Sequence, residues 1–206
     1  MACKKSGVTL HEHTEVRKLL IHHSTIRGIE MATGEQIEAP IVVNCLGSWA
    51  PLAGTFPVPL GIEPARGQML SFLGPKRLVR HVVMAERAYV VQRRDGRLLV
   101  GSTIEMAGFE KTLTLEGIHN ILCGLRHLSS LLNECTFVEA WAGFRPYTSD
   151  TLPVLGDTSV DGLFVASGHF RHGILLAPIT AKLMTELILR GGTSADLAPF
   201  TPSRFS

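Results

Sequence analysis

The chain has 206 residues, 45% of them apolar and only 18% charged, where an ordinary soluble domain carries about 25% charged residues. Twenty basic against eighteen acidic side chains leave a formal net charge of +2, which excludes a charge-driven nucleic-acid or membrane-surface binder as the default reading. No apolar run is as long as a spanning helix, no secretory signal precedes the first strand-like pattern, and Cys3, Cys45, Cys123 and Cys135 form no CxxC pair, so the expectation is a reduced, cytoplasmic chain.

The elements follow in chain order. Residues 8–12 alternate apolar and polar and read as a strand, as do 16–21 and 26–31; Thr33-Gly34 then turns the chain into Gln36-Ile37-Glu38. Ile41-Val42-Val43-Asn44-Cys45-Leu46 is a nearly continuous apolar run, which suits a strand buried on both faces of a parallel sheet. Ser48 after it suits a helix cap. Pro51, Pro57, Pro59 and Pro64 punctuate a connection, and 68–73 reads as a strand. Residues 88–93, the turn Asp95-Gly96 and residues 97–103 predict a hairpin. Ile118, Ile121, Leu122, Leu125, Leu128, Leu131 and Leu132 keep helical spacing behind Thr114 as cap. Strand character returns over 136–144 and again over 163–166. A polar loop, 167–173, leads into a helix over 174–190 that Gly191-Gly192 closes, with Pro178 in its first turns.

The fold class expected is therefore α/β (α+β). Residues 1–54 and 141–206 form one α/β layer, and a hairpin-and-helix segment, 55–140, lies between them in sequence. Two buried-type strands make a poor sheet, so the first part reads as the middle of a larger domain.

Three features are suited to chemistry. Arg145, within Trp141-Ala142-Gly143-Phe144-Arg145-Pro146-Tyr147-Thr148, stands in an apolar strand. A guanidinium there needs an anion and forks onto a carboxylate in two parallel bonds; alternatively it snorkels to water from a strand end. Gly168-His169-Phe170-Arg171-His172-Gly173 precedes a helix, where backbone N–H groups favour negative charge and glycines admit a flat ligand; an ordinary glycine turn is the alternative. Tyr89 is one of two tyrosines. It can pack its ring and lend its hydroxyl to a ligand, or serve only as a cross-strand aromatic. No metal site is expected: His11-Glu12-His13 lacks the helical spacing of a zinc protease, and His169 and His172 have no third ligand. There is no nucleophile elbow, phosphate-loop lysine or GxGxxG.

Taken together, these segments resemble the FAD-dependent amino-acid oxidase superfamily, most closely glycine oxidase of the thiamine-biosynthesis type. The residues that carry the resemblance span almost the whole chain: Asn44-Cys45-Leu46-Gly47-Ser48-Trp49, Arg66-Gly67-Gln68, Tyr89-Val90-Val91, Gly101-Ser102-Thr103, Trp141 to Pro146, Asp150 to Gly156, and Gly168 to Pro178. The resemblance implies the remainder of an FAD-binding doubly wound domain plus a mixed-sheet substrate domain. It implies that Arg145 and Tyr89 hold the substrate carboxylate, that Arg171 lies at the flavin-side edge of the pocket, and that Ile104 lies near the substrate. It assigns Gly47, Trp49, Gly143, Gly168, His169, Phe170, Arg171, His172, Gly173, Ile174 and Leu175 to the cofactor.

The implied reaction is oxidative deamination of glycine or a small amino acid to the oxo acid, ammonia and hydrogen peroxide. No side-chain base is required, and the flavin carries the redox chemistry. In monomeric sarcosine oxidase the corresponding strand carries a cysteine linked to the flavin; here the nearest, Cys135, lies well upstream, so the resemblance implies non-covalent FAD. The family's opening strand, GxGxxG and helix are missing, which implies a chain that begins partway through the cofactor domain, before Val8, and a missing N-terminal segment or partner chain. The alternatives left open are a flavin amino-acid dehydrogenase, a sarcosine-type oxidase, and a non-catalytic fragment unable to hold FAD alone. A homo-oligomer is left open as well; no nucleic-acid or membrane partner is expected.

Overall fold

The computed structural model describes residues 2–52, 56–74, 78–85, 88–125 and 132–205. The chain is a mixed α/β fold and divides into two compact units, Met1–Ile62 with Thr148–Ser206, and Glu63–Tyr147. The expected boundary between residues 54 and 55 falls outside the described residues, as do Leu128 and Leu131 of the expected helix.

In the first unit, a short helix α1 (Ala2–Lys5) is followed by β1 (Val16–His22), β2 (Thr25–Met31) and β3 (Gln36–Glu38), which form an antiparallel sheet in that order. The strand expected over 8–12 does not form; the segment is irregular and exposed, with Val8 and Leu10 about half open. Alternation alone does not make a strand where no neighbour supplies the ladder. β4 (Val42–Asn44) is shorter than its apolar run and pairs parallel with β11 (Leu163–Ser167), which pairs antiparallel with β10 (Val154–Asp157). The parallel partner matches the expectation, but burial on both faces does not: Ile41, Val43 and Leu46 are exposed.

A 3-10 turn, Gly47–Leu52, follows β4. Ser48 does not cap it. Its hydroxyl is buried without a hydrogen-bond partner, and the backbone closes the turn instead, Trp49 N–H donating to Leu46 O at 3.0 Å. The closing helix α3 (Gly173–Arg190) ends on Gly191 in the left-handed conformation, whose N–H reaches Leu187 O. Leu183 and Met184 of α3 pack on Leu155 of β10.

In the second unit, β5 (Ile62–Leu73), β6 (Val83–Met84), β7 (Tyr89–Gln92), β8 (Arg97–Gly101) and β9 (Thr136–Thr148) form a five-stranded sheet in the order β6-β7-β8-β5-β9. β5 begins earlier than expected and takes in Pro64, which a strand tolerates near its start. The predicted hairpin is β7–β8, antiparallel around Asp95-Gly96. α2 (Leu115–Gly124) starts at the predicted cap, Thr114 Oγ1 accepting from Gly117 N–H at 3.0 Å. Its Ile121 packs with Leu70, Val90, Leu98 and Val100 of the sheet. Each such buried aliphatic side chain contributes roughly 1.5–3 kcal/mol.

Candidate functional site

Side chains alternate faces along β5. Arg66, Gln68 and Leu70 belong to the α2 side, where Gln68 meets Gly117 and Leu70 meets Ile121. Gly67 and Met69 therefore belong to the opposite face. Met69 pairs with Gly101 of β8, which pairs in turn with Tyr89 of β7. A side chain at Gly101 would strike the Met69 thioether. The glycine thus opens a path across the row, and the Tyr89 hydroxyl donates to Met69 Sδ at 3.5 Å.

Arg145, half-buried on β9, reaches the same face. Its guanidinium lies in the space a side chain at Gly67 would fill. It donates from Nη1 to Thr103 O at 3.2 Å and from Nη2 to Ser102 Oγ at 2.7 Å. Ile104, just beyond, is exposed. The structure thus brings two of the expected residues, Tyr89 and Arg145, to one sheet face, where a planar cation and a phenol are suited to a carboxylate.

The α2 side of the same strands carries a polar cluster to which the sequence alone assigns no role. Arg66 pairs with Glu105 through Nε, at 2.8 Å, and through Nη2. Gln68 Nε2 donates to Glu105 Oε1 at 2.8 Å and to Thr114 Oγ1 at 2.9 Å, and its backbone N–H donates to Thr103 Oγ1 at 2.9 Å. Burial raises the Glu105 pKa, but hydrogen bonds from Thr103, Arg66 and Gln68 outweigh it and hold the carboxyl below its ordinary value. The cluster fixes the segment Ser102–Thr103 that orients Arg145. The signal for it was present in the sequence: a glycine between two polar residues inside an apolar strand.

Gly143 also lies on β9, with open space where its side chain would be. The remaining expected residues belong to the first unit. Parallel pairing puts the C-terminal ends of β4 and β11 at one sheet edge, where ligands of α/β sheets gather. Ser167 Oγ donates to Gly47 O at 3.0 Å and joins the two ends. Gly47 (φ 58°) and Gly168 (φ 72°) both take left-handed conformations. At Gly168 a side chain would press on Val154 and Thr148; at Gly47 the space is open.

Trp49 is about half exposed, and Ile174 and Leu175, at the start of α3, are 96% and 76% exposed. His172 precedes α3 and makes no side-chain cap bond. Phe170 carries a positive φ of 48°, and the exposed Arg171 lies over its ring at 5.3 Å. His169 Nε2 is 2.9 Å from Thr180 Oγ1, and burial pushes its imidazole pKa down. An open glycine, an exposed apolar rim and an uncapped helix start fit one side of a flat ring with a polar edge. Among the described residues there is no helix long and apolar enough to cross a membrane and no cluster of three metal-ligating side chains.

Comparison with known proteins identifies the family and the fold. The profile of the FAD dependent oxidoreductase family matches residues 1–187. Glycine oxidase of Pseudomonas putida is 34% identical over 198 residues, 95% of this chain and 54% of that protein. The crystal structure of glycine oxidase from Geobacillus kaustophilus superposes with a TM-score of 0.89 at 34% identity, over 98% of this chain and 55% of that one. That of L-proline dehydrogenase from P. horikoshii also gives 0.89, at 28% identity, over 98% and 56%. The chain spans about half the length of these glycine oxidases.

Proposed function

This chain belongs to the FAD dependent oxidoreductase family, and on that premise we propose that the protein carrying it deaminates glycine or another small amino acid oxidatively. The products are the oxo acid, ammonia and hydrogen peroxide. The observation that supports this reading is the Arg145 guanidinium, oriented by Ser102 and Thr103 on the sheet face that also bears the Tyr89 hydroxyl. Arg145 grips the substrate carboxylate through two charge-assisted bonds, each worth about 1.5–3 kcal/mol. Tyr89 turns its hydroxyl from Met69 to the same acid group.

Gly47, Trp49 and the run Gly168, His169, Phe170, Arg171, His172, Gly173, Ile174 and Leu175 would hold non-covalent FAD. Bound FAD supplies the two-electron acceptor. The start of α3 would favour negative charge on the bound group, and the exposed Arg171 just before it would add a cation there. The His169 imidazole, its pKa lowered by burial, braces the loop through Thr180. No residue of the chain is required to remove a proton from carbon, because the amine reacts in its neutral form and the imine hydrolyses in water.

The test is hydrogen peroxide release from the FAD-loaded protein with glycine in air, against the Arg145→Ala variant. Peroxide from the wild type and little from the variant is the expected result. Equal apparent affinity for glycine in the two contradicts the carboxylate role. The likeness to L-proline dehydrogenase supports a second reading, electron delivery to a carrier instead of oxygen. It predicts anaerobic dye reduction with slow reoxidation in air. Protein that retains no yellow chromophore after incubation with FAD and washing counts against both.

A further inference from the structure

We propose that Gly67 is a positioning residue for carboxylate recognition: its absent side chain forms the slot in which the Arg145 guanidinium lies, and a larger residue there evicts the guanidinium from Ser102 and Thr103. The inference rests on the carboxylate role of Arg145 proposed above and assigns Gly67 a duty within it.

A glycine inside a strand weakens it and marks either a bend or a close approach. At Gly67 the backbone gives no reason for glycine. The residue is not among those with positive φ, so an alanine there would meet no conformational penalty. Space gives the reason. The three atoms nearest an added Cβ are Arg145 Nη1, Cζ and Nη2, the last two at 2.7 Å. All belong to the end of one flexible side chain, and none to backbone.

Relief by a shift of β5 is opposed on both sides of Gly67. Arg66 exchanges backbone hydrogen bonds of 2.9 Å with Glu105 in both directions. Gln68 is tied to Thr103, Glu105 and Thr114. The strand is pinned, so the guanidinium yields. Moving it breaks the 2.7 Å bond to Ser102 Oγ and the 3.2 Å bond to Thr103 O. Substitution at 67 therefore costs little stability and much recognition, the reverse of the usual outcome for a buried glycine.

The experiment uses the FAD-loaded protein, with glycine as substrate and glycolate as an unreactive carboxylate probe. Gly67→Ala raises the glycine KM and the calorimetric Kd for glycolate by at least about tenfold, while kcat stays within about twofold, the pattern of lost uniform binding. In an Arg145→Ala background the same alanine has no further effect on glycolate, and any thermal shift that it causes alone is relieved. If Gly67→Ala fails to fold alone, the double variant with Arg145→Ala folds, because the clash is gone. Wild-type glycolate affinity in Gly67→Ala, with affinity lost in Arg145→Ala, overturns the slot and leaves the role of Arg145 standing. Unchanged affinity in Arg145→Ala overturns that role and the slot with it. An equal loss from Gly67→Ala in both backgrounds, or a double variant that does not fold, also overturns the slot.

Discussion

On one face of the five-stranded sheet, Arg66 is buried, its side chain 7% exposed, and paired with Glu105. On the other, Arg145 is half-buried and held by a carbonyl and a hydroxyl. The two arginines sit on strands adjacent in the sheet and share a segment, since Thr103 touches the clusters on both faces. The difference teaches how residue type and role separate. A guanidinium sealed against a carboxylate is part of the frame, and removing the carboxylate strands a buried cation. The guanidinium held by a carbonyl and a hydroxyl on the other face is the one we propose meets the carboxylate of a ligand.

The largest effect is expected where the frame is broken. Arg66→Ala should lower the unfolding free energy by about 3 kcal/mol, through its lost packing and its lost hydrogen bonds to Glu105 and the Glu110 carbonyl, read as a lower urea midpoint. Arg145→Ala should leave that midpoint nearly in place while the glycine kcat/KM falls about 100-fold, or about 2.7 kcal/mol. If both variants lose stability alike, the comparison fails and both arginines are structural. Thr114→Val probes the link from α2 to the frame. It removes the acceptor for Gly117 N–H and for Gln68 and should cost about 1 kcal/mol, again by urea unfolding.

The smallest effect lies in the other unit, where Asp150 pairs with Arg204 at 2.7 Å. Arg204 hydrogen bonds hold the Asp150 carboxyl at about 2, below its ordinary 3.8. A depressed carboxyl stabilises above its unfolded pKa and loses that contribution as pH falls through the folded value. Asp150→Asn should therefore lower the thermal midpoint slightly near neutral pH and flatten its fall between about pH 4 and 2. The effect is modest because the pair is partly solvated.

Much of the fold is legible in the sequence, and the rest is not, for identifiable reasons. The hairpin around Asp95-Gly96, the Thr114 cap and the Gly191 stop are local signals, and each formed where it was read. Residues 8–12 failed because a strand needs a neighbour, which alternation does not supply. Val43 shows the same limit on the apolar run: hydrophobicity reports a wish for burial, and 37% of the residue remains exposed.

Arg145 and Tyr89 stand out in the sequence by type and by family resemblance, and the fold puts them on one sheet face. Their supports do not stand out, because Ser102 and Thr103 meet Arg145 from more than 40 positions away and only the folded sheet brings them together. Gly67 was harder still, since its contribution is an absence of atoms that no pattern of residue types reveals.

The most direct measurement is side-by-side calorimetry of glycolate and uncharged glycolamide binding to the FAD-loaded protein, wild type and Arg145→Ala. The account predicts that the wild type prefers the acid by at least about tenfold and that the preference vanishes in the variant. A variant that still favours glycolate, or a wild type indifferent between the two, contradicts it.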